Sequence, residues 1–207
     1  DKFGFQAVKE FVGLAPAHRA LPDEDRLFAR ALAETYKTIQ DRRVNVGSLV
    51  RIPEYDTPRF SVWEQPNGQY LVTVHGTEGS NPADWADDSK IALGSRVQSK
   101  DVQDLFTRLD KTGKIYDVAA HSLATQFVVN AARENADIIL LFNAAASPLQ
   151  DSKYVTAQAN NPDYTFYLNP ADIVSKSLYQ SMNDQTVNRS YISESRYSPL
   201  AAHSMSQ

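Results

Sequence analysis

Residues 115–144 read IYDVAAHSLATQFVVNAARENADIILLFNA. Ile115 to Ala120 is a short apolar run of strand length, Leu123 to Arg133 has helical character, and Asp137 to Ala144 is a strongly apolar run of the kind buried on both faces of a sheet. Strand, helix and strand in that order predict a right-handed crossover and so two parallel strands at the centre of an α/β domain.

The flanking segments extend that sheet. Phe60, Val62 and Glu64 alternate before Pro66-Asn67-Gly68, and Tyr70, Val72 and Val74 alternate after it, so residues 60–75 are predicted to form a β-hairpin. A polar connection, Glu78 to Asp88, leads to an amphipathic helix marked by Val102, Leu105, Phe106 and Leu109, with Gly113 as its stop. Upstream, Asp23 can cap a helix whose Leu27, Phe28, Ala31, Leu32 and Ile39 share a face, the pattern running to about Gln40. Phe5, Val8 and Val12 outline a shorter helix ending near Gly13, read as a core-packing arm. Downstream, Tyr164 to Leu168 is a predicted strand closed by Asn169-Pro170, and Ser177 to Gln207 is polar, with no assignable element. The expected fold is a single α/β domain built on a mixed, mostly parallel sheet flanked by helices, with an antiparallel hairpin at one side. Residues 1–59 supply an N-terminal helical arm and outer helix, and 60–207 the core.

Composition narrows the function. The 207 residues are 42% hydrophobic and 22% charged, which suits one globular domain and excludes a mainly disordered chain. With 21 Lys and Arg against 25 Asp and Glu the net charge is -4, and no basic stripe is present to meet a phosphate backbone, so nucleic acid is not an expected partner. The absence of cysteine excludes a thiolate nucleophile and a cysteine-ligated metal. No cluster of His or carboxylates at ligand spacing argues for any metal, and no cofactor is expected. The compartment stays open, the missing cysteines and lack of a visible signal peptide weighing toward the inside of a cell.

The chemistry gathers around Ser122, at the junction of a predicted strand and a predicted helix. A sharp turn there holds a hydroxyl at the sheet edge and needs small neighbours two residues either side, where the sequence has Ala120 and Ala124. Alone this is weak, since a serine commonly caps a helix. A nucleophilic hydroxyl needs a base, and the imidazoles are His18, His75, His121 and His203. His121 adjoins the serine and should point to the opposite side, His75 ends a strand, and His18 lies in the arm, which leaves His203. For the carboxylate that orients the base, Asp172 directly follows a predicted strand, whereas Asp163 precedes it and Asp151 and Asp184 lie farther from any strand end. The order Ser122, Asp172, His203 is the order of an α/β-hydrolase. Donors for a developing oxyanion are available at the backbone N–H of Leu123 and at Thr77, after Gly76, although His75-Gly76-Thr77 is also readable as a plain strand-ending turn.

Across about residues 60–207 these blocks resemble the class 3 lipases, the fungal-lipase-like branch of the α/β-hydrolases. Val72-Thr73-Val74-His75-Gly76-Thr77 is similar to the family's strand ending in Arg-Gly-Thr or Arg-Gly-Ser, with His75 at the Arg position. Asp84-Trp85-Ala86-Asp87-Asp88 resembles the family's Asp-Trp and following Asp, and Tyr116 to Ala124 the strand leading into Gly-His-Ser-Leu-Gly, with Ala120 and Ala124 in place of both glycines. Phe142 to Pro148 resembles the strand ending in Phe-Gly-Ser-Pro, Asn169 to Val174 the Asn-x-x-Asp-x-Val block, and His203-Ser204 the terminal His-Ser. The resemblance implies Ser122 as nucleophile, Asp172 as orienting acid, His203 as base, Thr77 and Leu123 as oxyanion donors, and Trp85 and Asp88 as supports of the oxyanion loop. It also implies an acyl ester or lipid substrate and transient contact with a lipid surface, while the short polar stretch Glu78 to Asp84 departs from an apolar lid. The expectation is a serine carboxylic-ester hydrolase of lipase or esterase type. The alternative is a catalytically silent α/β-hydrolase-like binding or assembly module, suggested by the alanines beside the serine turn.

Overall fold

The computed structural model describes residues 23–76, 98–142 and 164–167. Helix α1, Asp23–Thr35, opens with Asp23, Glu24 and Asp25, whose charges favour a helix N-terminus. It buries Phe28, Ala31, Leu32 and Thr35, one stripe at spacings of three and four. The predicted run to Gln40 is too long. Tyr36 and Lys37 tighten onto Ala33 and Glu34 carbonyls, and the buried Arg42 donates from Nε to the Lys37 carbonyl at 3.1 Å, so the chain leaves the helical path. Ile39–Asp41 is a separate 3-10 turn.

Two short strands follow within the segment read as a helical arm: β1, Asn45–Val46, and β2, Leu49–Arg51. At two and three residues they are too short to show alternation. The hairpin prediction holds, as β3, Phe60–Glu64, pairs antiparallel with β4, Tyr70–Val74. Gly68 in its turn takes φ +83°. Helix α2, Lys100–Thr112, starts at Ser99, whose side chain accepts from the Val102 N–H, and stops at Gly113 in the left-handed conformation, as expected.

Strand β5, Tyr116–His121, helix α3, Ala124–Val129, and strand β6, Ala136–Phe142, form the crossover. Helix α3 is shorter than the predicted Leu123 to Arg133, because residues 131–133 are drawn onto α2. Ala132 N–H donates to Gln103 Oε1 at 3.0 Å, and Gln103 Nε2 donates to the Ala132 carbonyl at 3.4 Å. Strand β7 is Tyr164–Tyr167. The expected arm helix at Phe5 to Gly13, the 78–88 connection and the 177–207 tail lie outside the described residues.

The described strands form one seven-stranded sheet in the order β1-β2-β3-β4-β5-β6-β7, antiparallel from β1 to β4 and parallel from β4 to β7. This is an α/β fold with the mixed sheet that the sequence predicts. Alternation along the strands sends Val62, Val72, Val118 and Leu141 to one face, where Val102, Phe106 and Leu109 of α2 and Phe127 and Val128 of α3 cover them. Trp63, Leu71, Ala119 and Leu140 go to the other face, against Phe28 and Leu32 of α1. Burial on both faces is what makes the parallel strands read as continuous apolar runs. Among the described residues, no helix is long and apolar enough to cross a membrane.

Candidate active site

Four parallel neighbours bring four carboxyl ends to one edge of the sheet. Val74 of β4 pairs with Ala120 of β5, His121 of β5 with Phe142 of β6, and Phe142 with Tyr167 of β7. The residues that follow these ends, His75-Gly76 and Ser122-Leu123, are therefore neighbours in space although about 46 positions separate them in the sequence. In open α/β sheets this carboxyl edge is where ligands bind.

The chain passes from β5 to α3 through only two residues, Ser122 and Leu123. Ser122 has φ +60° and is the one non-glycine residue with positive φ among those described. An L-residue in that conformation costs roughly 1–2 kcal/mol, because its Cβ crowds the following carbonyl. The surroundings hold it there. Ser122 N–H donates to the Phe142 carbonyl at 3.1 Å, and the Ser122 carbonyl accepts from the Thr125 N–H at 3.1 Å and the Thr125 hydroxyl at 2.7 Å. Ala120 and Ala124 on either side are fully buried, and neither has positive φ, so the alanines at these positions add no backbone strain. The serine itself is only 3% exposed.

Leu123 is helical, at φ -58° and ψ -31°, and its side chain does not cap α3. Its backbone N–H donates to no acceptor among the described residues. The first N–H groups of a helix have no partner within it, and one directly after a strained serine is suited to an oxygen that gains negative charge. Gly76 lies alongside. A Cβ on Gly76 would fall 3.1 Å from Leu123 N and 3.2 Å from the His121 carbonyl oxygen, so a side chain at position 76 would press into the space beside that donor. This is a close approach of two backbones that glycine permits.

Behind the turn lies a buried polar group on the α1 face. Tyr36, just past the end of α1, bonds through its hydroxyl to His121 Nδ1. The same oxygen receives the Gly76 N–H over a long 3.5 Å. The ring of Tyr36 lies 4.6 Å from that of His75 and stands edge-on to His121 at 5.5 Å. Burial pushes the Tyr36 phenol well above its ordinary pKa, so it stays protonated through the neutral range. His75 bonds through Nε2 to the Pro58 carbonyl, and Arg59 Nη1 donates to the Gly76 carbonyl at 3.2 Å while its guanidinium lies over the Phe127 ring. Pro58 is fixed in turn by Arg42, which also donates to the Thr57 and Phe60 carbonyls and to Ser61 Oγ. The strand end leading to Thr77 is thus braced from both sides.

Of the residues expected from sequence, the structure describes Ser122 and Leu123 and brings both to the carboxyl edge beside Gly76. Thr77, Asp172, His203, Trp85 and Asp88 lie outside the described residues. His121 faces Tyr36, as its adjacency to the serine required, and His75 is engaged with Pro58. Sequence reasoning missed Tyr36. The signal was there, since Tyr36 follows Leu32 by four positions, one step past the end of α1 in line with its buried stripe. Arg59 and Arg42 carry no such signal, because what singles them out is the set of carbonyls that folding brings to them. Among the described residues, no group of His and carboxylates could hold a metal ion. Comparison with protein-family models and with curated proteins returned no match for this chain.

Proposed function

We propose that this chain is a serine carboxylic-ester hydrolase of the α/β-hydrolase type, similar to the class 3 lipases. The observation that carries the reading is Ser122 at φ +60° between a parallel strand and a helix. Strain of this kind gathers at functional sites, and a strained strand-to-helix serine is the arrangement that exposes a nucleophile in this fold type. The unpaired Leu123 N–H beside it supports an oxyanion role.

In this reading Ser122 Oγ attacks the acyl carbonyl while His203 takes its proton, and the carbonyl oxygen gains charge facing the N–H groups of Leu123 and Thr77. The tetrahedral adduct collapses with loss of the alcohol, protonated by His203, and water, deprotonated by the same imidazole, then releases the acid. Asp172 orients His203. The substrate class is an acyl ester, with a lipid surface as its possible source. The alternative of a silent module draws on Ala120 and Ala124 and on the lack of an apolar lid in the sequence; neither alanine has positive φ, so the replaced glycines impose no left-handed strain.

Labelling with a fluorophosphonate probe, wild type against Ser122→Ala, tests the proposal. Labelling of the wild type that vanishes in the variant is the expected result, and a p-nitrophenyl ester series from short to long acyl chains then defines the acyl preference. A folded wild type that neither labels nor turns over any ester favours the silent module.

A further inference from the structure

Two segments must keep a fixed distance if the proposed chemistry is to work: Gly76-Thr77, leaving β4, and His121-Ser122-Leu123, leaving β5. One hydroxyl touches both. Tyr36 Oη meets His121 Nδ1 on the residue before the serine, and receives the N–H of Gly76 on the residue before Thr77. Ordinary sheet pairing fixes these strands as far as Val74 and Ala120, and beyond that point the ladder between them ends. Leu123 N lies beside Gly76 with so little clearance that a Cβ there would require the neighbouring backbone to give by a few tenths of an ångström, a shift that changes the space in which an oxyanion would sit.

We propose that Tyr36 is a positioning residue for the oxyanion pocket, its hydroxyl clamping Gly76 to His121 and so setting the separation of Gly76 from Ser122 and Leu123. The inference rests on the hydrolase reading above and adds a residue from outside the segments resembling a known family. It assigns the Tyr36 O–H as donor to His121 Nδ1, with the Gly76 N–H donating into the same oxygen, and so makes His121 the Nε2–H tautomer. Among the described residues the Tyr36 hydroxyl meets His121 and Gly76, which flank the site and are not assigned a reacting atom. Its effect is geometric, and it belongs to the charge-developing step and not to substrate capture.

The test is Tyr36→Phe in the full chain, which keeps the ring against His75 and His121 and removes the oxygen alone. The expected result is a fluorophosphonate labelling rate and a kcat for p-nitrophenyl acetate lowered roughly tenfold, with KM changed by less than about twofold. Leu32→Val in the same helix serves as the companion. It loosens α1 packing without touching the hydroxyl and is expected to keep the wild-type kcat below its Tm. Equal losses in both variants would reduce Tyr36 to a stability role and overturn the proposal. Nitrogen-15 NMR of the His121 ring in the wild-type chain needs no variant to fold: a proton on Nε2 supports the assignment, and a proton on Nδ1 overturns it. A Tyr36→Phe chain that labels at the wild-type rate overturns the clamp and leaves the hydrolase reading standing. A wild type that does not label at all removes the hydrolase reading, and the clamp falls with it.

Discussion

The two ends of strand β5 both bury polar groups, and they treat them oppositely. At the amino end Asp117 is 2% exposed but fully engaged, accepting from Gln65 Nε2 at 2.9 Å and from the Ile138 N–H at 3.0 Å. It lies at the point where the β5–β6 register shifts between Tyr116 and Val118, and its carboxylate accepts the Ile138 N–H beside that shift. At the carboxyl end Ser122 is strained and the next N–H has no described acceptor. A buried polar residue whose bonds complete the fold explains itself by stability. One that holds the backbone in an unfavourable conformation beside an open donor is not explained by stability in the same way, and it is where the proposed chemistry would act.

That contrast can be broken in four places. The largest effect belongs to Ser122→Ala, which should lower ester turnover by about 10⁴-fold or more while changing Tm little, read by steady-state kinetics and thermal melts. A catalytic loss below tenfold would put Ser122 on the same footing as Asp117. Next is Gly76→Ala, whose new Cβ crowds Leu123 N. Its kcat should fall roughly 10²-fold, the size of losing one oxyanion donor, whereas Gly68→Ala in the open hairpin turn should leave kcat unchanged.

Asp117→Ala tests the other end. It leaves the Ile138 N–H without its partner and should destabilise by about 1–3 kcal/mol in urea melts, with kcat preserved below the transition. Burial raises the Asp117 pKa above its ordinary 3.8, outweighing the Gln65 and Ile138 hydrogen bonds, so the folded protein holds this proton more tightly than the unfolded chain. As pH rises from 3.8 through the raised folded value, Asp117 therefore withdraws stability, and the cost of Asp117→Ala should shrink across that window. A cost that grows with pH would reverse the assignment. The smallest effect is Ser122→Gly, which should raise stability by about 1 kcal/mol as the left-handed strain is relieved, with turnover lost.

Much of this architecture is legible in the sequence where local pattern dictates it. The hairpin, α2 with its Gly113 stop, and the three parallel strands around Ser122 all follow from alternation, helical spacing and turn residues. The serine turn was readable too, because small residues at 120 and 124 are a steric requirement with a sequence trace. What stayed hidden depends on partners distant along the chain. Helix α1 ends early because Arg42 captures the Lys37 carbonyl, and α3 ends early because Gln103 captures residue 132, neither of which any window around the helix reveals. The strands at Asn45 and Leu49 are defined by pairing alone. Tyr36 meets His121 across 85 positions, and only the sheet brings them together.

The strand order carries one more consequence. Each described strand of the sheet after the first pairs with the one before it in sequence, so these strands can pair in the order in which a ribosome delivers them. No described strand has to be inserted between two already paired, and loop closure is limited to the connection in hand, which keeps the entropic cost of each step low. The last described strand added is β7, at the far edge. A chain halted after Phe142 would already hold β1 to β6 and the complete Ser122 turn, with the Phe142 carbonyl in place to receive it. Among the described strands, this order lets the strained Ser122 turn be secured before β7 is laid down.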